Sequence, residues 1–161
     1  MTMEIGLDNL KERYEEVAKE YNLPSFKEMN EDFEIEKLHD KETDLLVREI
    51  RRAMIEKNAD YLRFVEMFLN PSNAPMFFLA LVKNMDNSAK KVLDELYLKL
   101  GKFEIKSISL DNFYDEKKEA EFVCEFFSGW QEIKGFFQKI TDELEDSWKK
   151  KSDKKEKGYL G

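Results

Sequence analysis

Phe122, Phe126, Trp130, Ile133, Phe137, Ile140, Leu144 and Trp148 follow one another at steps of 4, 4, 3, 4, 3, 4 and 4 residues. Only a helix of 3.6 residues per turn gathers such positions on one face; a strand would scatter them over both sides of a sheet. A stripe of this length needs other helices to cover it. Gly129 and Gly135 interrupt it. Each glycine costs about 1 kcal/mol in a helix interior relative to alanine. They predict either a break near Ser128-Gly129 or a close helix approach there.

The remaining chain supplies further helical segments. Leu10, Tyr14, Val17 and Tyr21 step by 4, 3 and 4 after Asp8, a candidate N-cap. Pro24 ends that helix. Ser25-Phe26-Lys27-Glu28 has the capping-box pattern, with Leu23 placed as its hydrophobic staple. A short helix to about Asp32 and an irregular or short helical link through Phe33, Ile35 and Leu38 follow. Over 42–69, Val47, Ile50, Met54, Tyr61, Val65 and Phe68 form one stripe, with Leu45, Ile55, Ala59 and Leu62 on the opposite side. A helix apolar on two sides is packed on two sides, so 42–69 reads as the spine of a bundle.

Asn70 to Pro75 reads as a turn, and 74–85 as a helix apolar nearly all round and therefore buried. After Asp86-Asn87-Ser88, a helix over 88–100 places Val92, Leu93, Leu96 and Leu100 inward, with Gly101 as its C-cap. Residues 102–112 carry Phe103, Ile105, Ile108 and Leu110 without one clear stripe. A lone strand has no partner in such a chain, so this stretch reads as a packed loop. The predicted fold is all-α: a single irregular bundle of roughly five to seven helices over 1–150. A disordered, Lys-rich basic tail is predicted over 151–161.

Charge is unevenly spread. The net charge is −8, yet Lys149 to Lys157 holds six Lys against Asp153 and Glu156, a local +4 that leaves −12 elsewhere. An acidic body repels nucleic acid over most of its surface. The longest unbroken apolar run, Met76 to Val82, is seven residues, too short to cross a bilayer, which takes about 20. Met1 to Ile5 lacks a basic region followed by an apolar run, so no signal peptide is read there. One Cys excludes an intrachain disulfide and fits a reducing, cytoplasmic setting.

Few residues offer chemistry. Glu36 and His39 have the Glu-x-x-His spacing of di-iron bundles, but such sites need two pairs and the chain has one His. The bland reading is a surface His beside Asp40. Cys124 has no base near it in sequence and reads as a structural thiol. Carboxylates are too abundant for any two to be singled out as an acid/base pair. No catalytic residue, cofactor or metal is therefore assigned.

Four of the five arginines lie in 48–63. At 100° per residue Arg48, Arg52 and Arg63 fall within about 60° of one another, opposite the Ile50 stripe, with Arg51 to one side. Three readings stay open: an anion or RNA-backbone contact, a solvated face with i, i+4 partners, and ion pairs between helices. Lys149, Lys150, Lys151, Lys154 and Lys155 could dock on nucleic acid or an acidic protein, or simply solubilise the end. Tyr159 and Leu160 resemble a short docking peptide. The aromatic cluster around Trp130 reads as core, and as a partner groove if one face stays exposed.

The stretch Leu23 to Phe33, with Arg48-Glu49-Ile50-Arg51-Arg52 and the Asn70-to-Met76 turn, resembles small uncharacterised archaeal helical proteins. The resemblance extends to Asp115–Phe122 and the Lys-rich end. It implies an archaeal cytosolic protein and no known activity, so no functional residue is carried over from it.

These readings lead to a non-enzymatic interaction protein, an adaptor or accessory subunit with an unidentified protein partner. The alternative is a ribonucleoprotein-associated factor touching nucleic acid through the tail and the arginine face.

Overall fold

A computed structural model describes the backbone of residues 2–160 and the side chains of residues 4–155. Its described residues form a helical bundle, 87% helical and without strands. In chain order these are α1 (Thr2–Tyr21), α2 (Phe26–Phe33), a 3-10 helix (Ile35–Asp40), α3 (Leu46–Leu69), a second 3-10 helix (Pro71–Asn73), α4 (Met76–Val82), α5 (Asn87–Asn112) and α6 (Glu116–Leu160).

Local chemistry sets several boundaries. α1 begins at Thr2, ahead of the predicted cap at Asp8, and ends where Asn22 turns left-handed at φ 54°. The capping box is formed: the Ser25 Oγ accepts from the Glu28 N–H at 3.2 Å, and the Ser25 N–H donates to the Glu28 carboxylate at 3.4 Å. α2 stops at Glu34, also left-handed at φ 51°, whose N–H donates to the Asn30 carbonyl at 2.9 Å. The Asp86 carboxylate caps α5 by accepting from the Ala89 N–H at 2.9 Å and the Ser88 hydroxyl at 2.8 Å. These bonds hold its carboxyl below the usual aspartate range.

The chain divides into two compact units, Met1–Ala59 with Lys102–Trp130, and Asp60–Gly101 with Gln131–Gly161; α3, α5 and α6 contribute to both. In the first, Tyr14, Met29, Phe33, Ile50, Met54, Phe126 and Trp130 are buried. Phe126 stacks on Trp130 at 5.5 Å, while Phe33 and Phe103 meet Phe126 at 5.6 and 4.8 Å. The Tyr14 hydroxyl donates to the Pro24 carbonyl, and burial pushes its phenol well above the ordinary value. In the second unit Val65, Phe68, Leu93, Leu96, Ile133 and Ile140 form the core. Phe137 packs on Tyr61 at 4.1 Å and on Phe64 at 5.4 Å.

Three expectations are corrected, and one alternative is resolved. Residues 102–112 are not a packed loop: α5 runs unbroken through Gly101, which is not a cap. The inward stripe of α5 continues past Leu100 as Phe103, Ser107 and Leu110. Ile105 and Ile108 point outward and blur it. Of the two alternatives at Ser128-Gly129, the break does not occur, since α6 runs through both residues. Instead, a Cβ on Gly129 would lie 3.0 Å from the Phe103 ring, so the glycine serves a close approach of α5 to α6. The helix over Met76–Val82 is not buried all round; Leu81 is buried, but Met76, Phe77 and Leu79 are exposed. Finally, the expected disordered tail is helical backbone through Leu160. Lys and Glu are good helix formers, which favours propagation of α6 once its upstream turns are packed.

Candidate functional site

An apolar groove lies between α4 and the C-terminal part of α6. It encloses about 490 Å³. Met76, Phe77 and Ala80 line one wall, and Trp148, Lys151, Ser152 and Lys155 line the other. The α6 residues are spaced i, i+3, i+4 and i+7, so they share one helix face. α4 is seven residues long and apolar throughout. A single helix of that composition cannot turn every side chain inward, and the side it fails to bury becomes the groove wall.

Exposure decides the character of this groove. Met76 is 84% exposed, Phe77 51% and Trp148 45%. The Phe77 and Trp148 rings meet at 5.2 Å and an interplanar angle of 53°. The Lys151 ammonium stands 5.8 Å from the Trp148 ring centre, in cation–π range. Among the described residues the charged lining is Lys151 and Lys155 alone. A larger depression nearby, about 940 Å³, is of mixed charge: Asp86, Glu143, Asp146 and Asp153 line it together with Lys83, Lys150, Lys154 and the shared Lys151.

The arginines are placed differently. Arg51 is fully buried. Its guanidinium donates to the Glu119 carboxylate, to the Ser107 hydroxyl at 2.5 Å and to Asp111 at 2.5 Å. Burial opposes the charge, but the hydrogen bonds Arg51 donates to Glu119 and Asp111 outweigh it and raise the Arg51 pKa. The same Arg51 contact holds the Asp111 carboxyl below the usual range. Arg48 donates to Glu119 at 2.8 Å and to the Leu110 carbonyl at 2.7 Å, with Tyr114 packed against its guanidinium at 5.1 Å. Arg48 and Arg51 therefore make ion pairs between helices, the third of the readings left open. Arg52 pairs with Glu49 at 3.1 Å, and Arg63 with Asp60; both arginines stay exposed.

Trp130 is fully buried among Phe33 and Phe126 and presents no surface to a partner, which corrects its candidacy. Lys149, Lys150, Lys151, Lys154 and Lys155 are exposed on α6. The side chains of Tyr159 and Leu160 lie outside the described residues. Sequence reasoning misses Met76 and Phe77, because an all-apolar helix reads as a buried one. The signal available was the length of α4, whose two turns are too few to be surrounded.

The remaining chemistry-bearing residues are satisfied locally. The His39 Nδ1 lies 3.0 Å from the Glu36 carbonyl, so the Glu-x-x-His pair meets through backbone and not as a shared ligand set. Among the described residues no group of three or more His, Cys, Asp or Glu is placed to hold a metal ion. Cys124 donates to the Asn22 carbonyl at 3.7 Å, and burial pushes its thiol up, away from a nucleophilic thiolate. No helix among the described residues is long and apolar enough to cross a membrane.

Comparison with known proteins finds no matching family model, curated protein or solved structure, so none of them bears on the archaeal resemblance.

Proposed function

We propose that this chain is a non-enzymatic interaction protein, an adaptor or accessory subunit, that binds a protein partner through the α4/α6 groove. The observation that carries this reading is the convergence of Met76, Phe77 and Trp148 on one groove while each stays exposed. Large apolar side chains scattered singly over a surface need no explanation, but a contiguous cluster beside charged residues is the usual form of a binding site. Trp is also among the side chains that most often dominate binding energy. We place the protein in the cytoplasm on its single Cys and on the archaeal resemblance.

A ribonucleoprotein-associated role is the second reading. The exposed lysines of α6 beside Trp148 favour it, since lysine with an aromatic platform suits a single strand. The arginine cluster supports it less, because Arg48 and Arg51 are committed to Glu119.

The test is affinity capture from native lysate with the full chain and with Phe77→Ser/Trp148→Ala, each with and without RNase. The adaptor reading predicts partners that survive RNase and are lost with the double substitution. Partners lost with RNase would favour the ribonucleoprotein reading.

A further inference from the structure

Resting on the adaptor reading, we infer that the α4/α6 groove takes an acidic amphipathic helix, a peptide segment with bulky apolar side chains on one face flanked by Asp or Glu. The walls of the groove are themselves helical. Trp148, Lys151, Ser152 and Lys155 give one edge at i, i+3, i+4 and i+7, while Met76, Phe77 and Ala80 give the other. A third helix laid between them would set its own i, i+3, i+4 and i+7 side chains against Phe77 and Trp148, the helix-in-groove mode of recognition.

Charge selects the occupant. The protein as a whole carries −8, yet the charged lining of this groove is Lys151 and Lys155. An acidic ligand is therefore repelled by most of the surface and attracted here, which confers orientation and specificity. The same arrangement argues against a nucleic-acid strand. A polyanion continuing past the groove would meet a depression of mixed charge, where Asp86, Glu143, Asp146 and Asp153 offset Lys83, Lys150, Lys151 and Lys154, and not a continuous basic track. A few carboxylates at fixed helical positions can be matched by two lysines; a phosphate on every nucleotide cannot.

The probe is a panel of fluorescein-labelled helical peptides with Leu or Phe at i, i+3 and i+7 and Glu or Asp at the flanking positions. Matched panels carry Gln or Lys at those positions, and a labelled oligouridylate serves as the nucleic-acid control. Fluorescence anisotropy is read with the full chain. Acidic peptides should bind more tightly than Gln peptides and weaken with added salt. Lys151→Glu/Lys155→Glu should lower their affinity roughly tenfold, the scale of reversing two rim charges. The same variant should gain affinity for the Lys peptides, which a misfolded variant would not do. Equal binding of acidic and Gln peptides, preference for oligouridylate, or no binding by any acidic peptide would overturn the inference. If acidic peptides fail while Phe77→Ser/Trp148→Ala still abolishes RNase-resistant capture from lysate, the adaptor reading stands and the acidic ligand falls.

Discussion

Arg51 of α3 and Glu119 of α6 form an ion pair in which neither side chain retains any solvent exposure. Two charges are held inside a helical protein, with further polar contacts to each. Ser107 takes one guanidinium nitrogen, Asp111 another, and Arg48 shares the Glu119 carboxylate. The arrangement satisfies both ions and fixes how α3, α5 and α6 register in this unit.

Removing one partner strands the other in a dry site. Arg51→Met or Glu119→Leu should each cost about 3–5 kcal/mol, read as a lower denaturant midpoint at unchanged slope. The double variant Arg51→Met/Glu119→Leu should recover part of that loss, because neither member of the fully buried pair is then stranded, while Arg48 loses its Glu119 contact and keeps the Leu110 carbonyl. A double variant as unstable as the sum of the two singles would show that the pair is not coupled.

Gly129 and Gly135 of α6 should respond with opposite signs. At Gly129 an added Cβ would lie 3.0 Å from the Phe103 ring. That ring is wedged against Phe122 at 6.0 Å and Phe126 at 4.8 Å and has little room to yield. Gly129→Ala should therefore destabilise by about 1–2 kcal/mol despite its better helix propensity. Gly135 meets nothing within 4 Å, so Gly135→Ala should stabilise by up to about 1 kcal/mol. Thermal melts of the two variants check this, and equal shifts would contradict the close approach.

Much of this is legible in the sequence, and the failures around the ion pair share a cause. Stripes at 3- and 4-residue spacing located α3 and α6, and the Ser25–Glu28 pattern located the start of α2. The run 102–112 misled because its two outward isoleucines obscured the stripe, and because the inward position Ser107 is polar. That serine faces Arg51, so the break in the apolar pattern marked the ion-pair site itself. Arg51 lies to one side of the arginine face, and that angular offset is what turns it inward. Glu119 carried no signal, since one glutamate among many acquires meaning only through a partner 68 residues away. The groove was hidden for a different reason. Periodicity identifies which face of a helix is apolar, but says nothing when every face is, as in α4.

Acid should weaken the fold through specific carboxylates. Asp111 and Glu49 both have folded-state pKa values below the ordinary ones. Arg51 is the main cause for Asp111, and Lys41, at 2.8 Å, for Glu49. A carboxyl depressed in the folded state adds stability above its ordinary pKa, and that stability is lost as pH falls through the folded value. Stability measured by urea denaturation should therefore decline below about pH 4, the ordinary carboxylate range. Asp111→Asn should be less stable at neutral pH and show a shallower decline. An unchanged slope would remove Asp111 from the account.

The two tryptophans should be distinguishable in solution. Trp130 is fully buried, while Trp148 is 45% exposed. Iodide should quench one population and spare the other, and Trp148→Phe should abolish the quenchable one. That variant should lose about 1 kcal/mol of stability or less, because surface substitutions remote from the core cost little.

The claim that the α4/α6 groove is the binding site is tested most directly by a fluorescence titration of Trp130→Phe, in which Trp148 is the remaining tryptophan, with an acidic amphipathic helical peptide. The account predicts a saturable blue shift of Trp148 emission with loss of iodide quenching, both weakened by Lys151→Glu/Lys155→Glu. Peptide binding by anisotropy with no change in Trp148 emission or quenching would place the ligand elsewhere and contradict it.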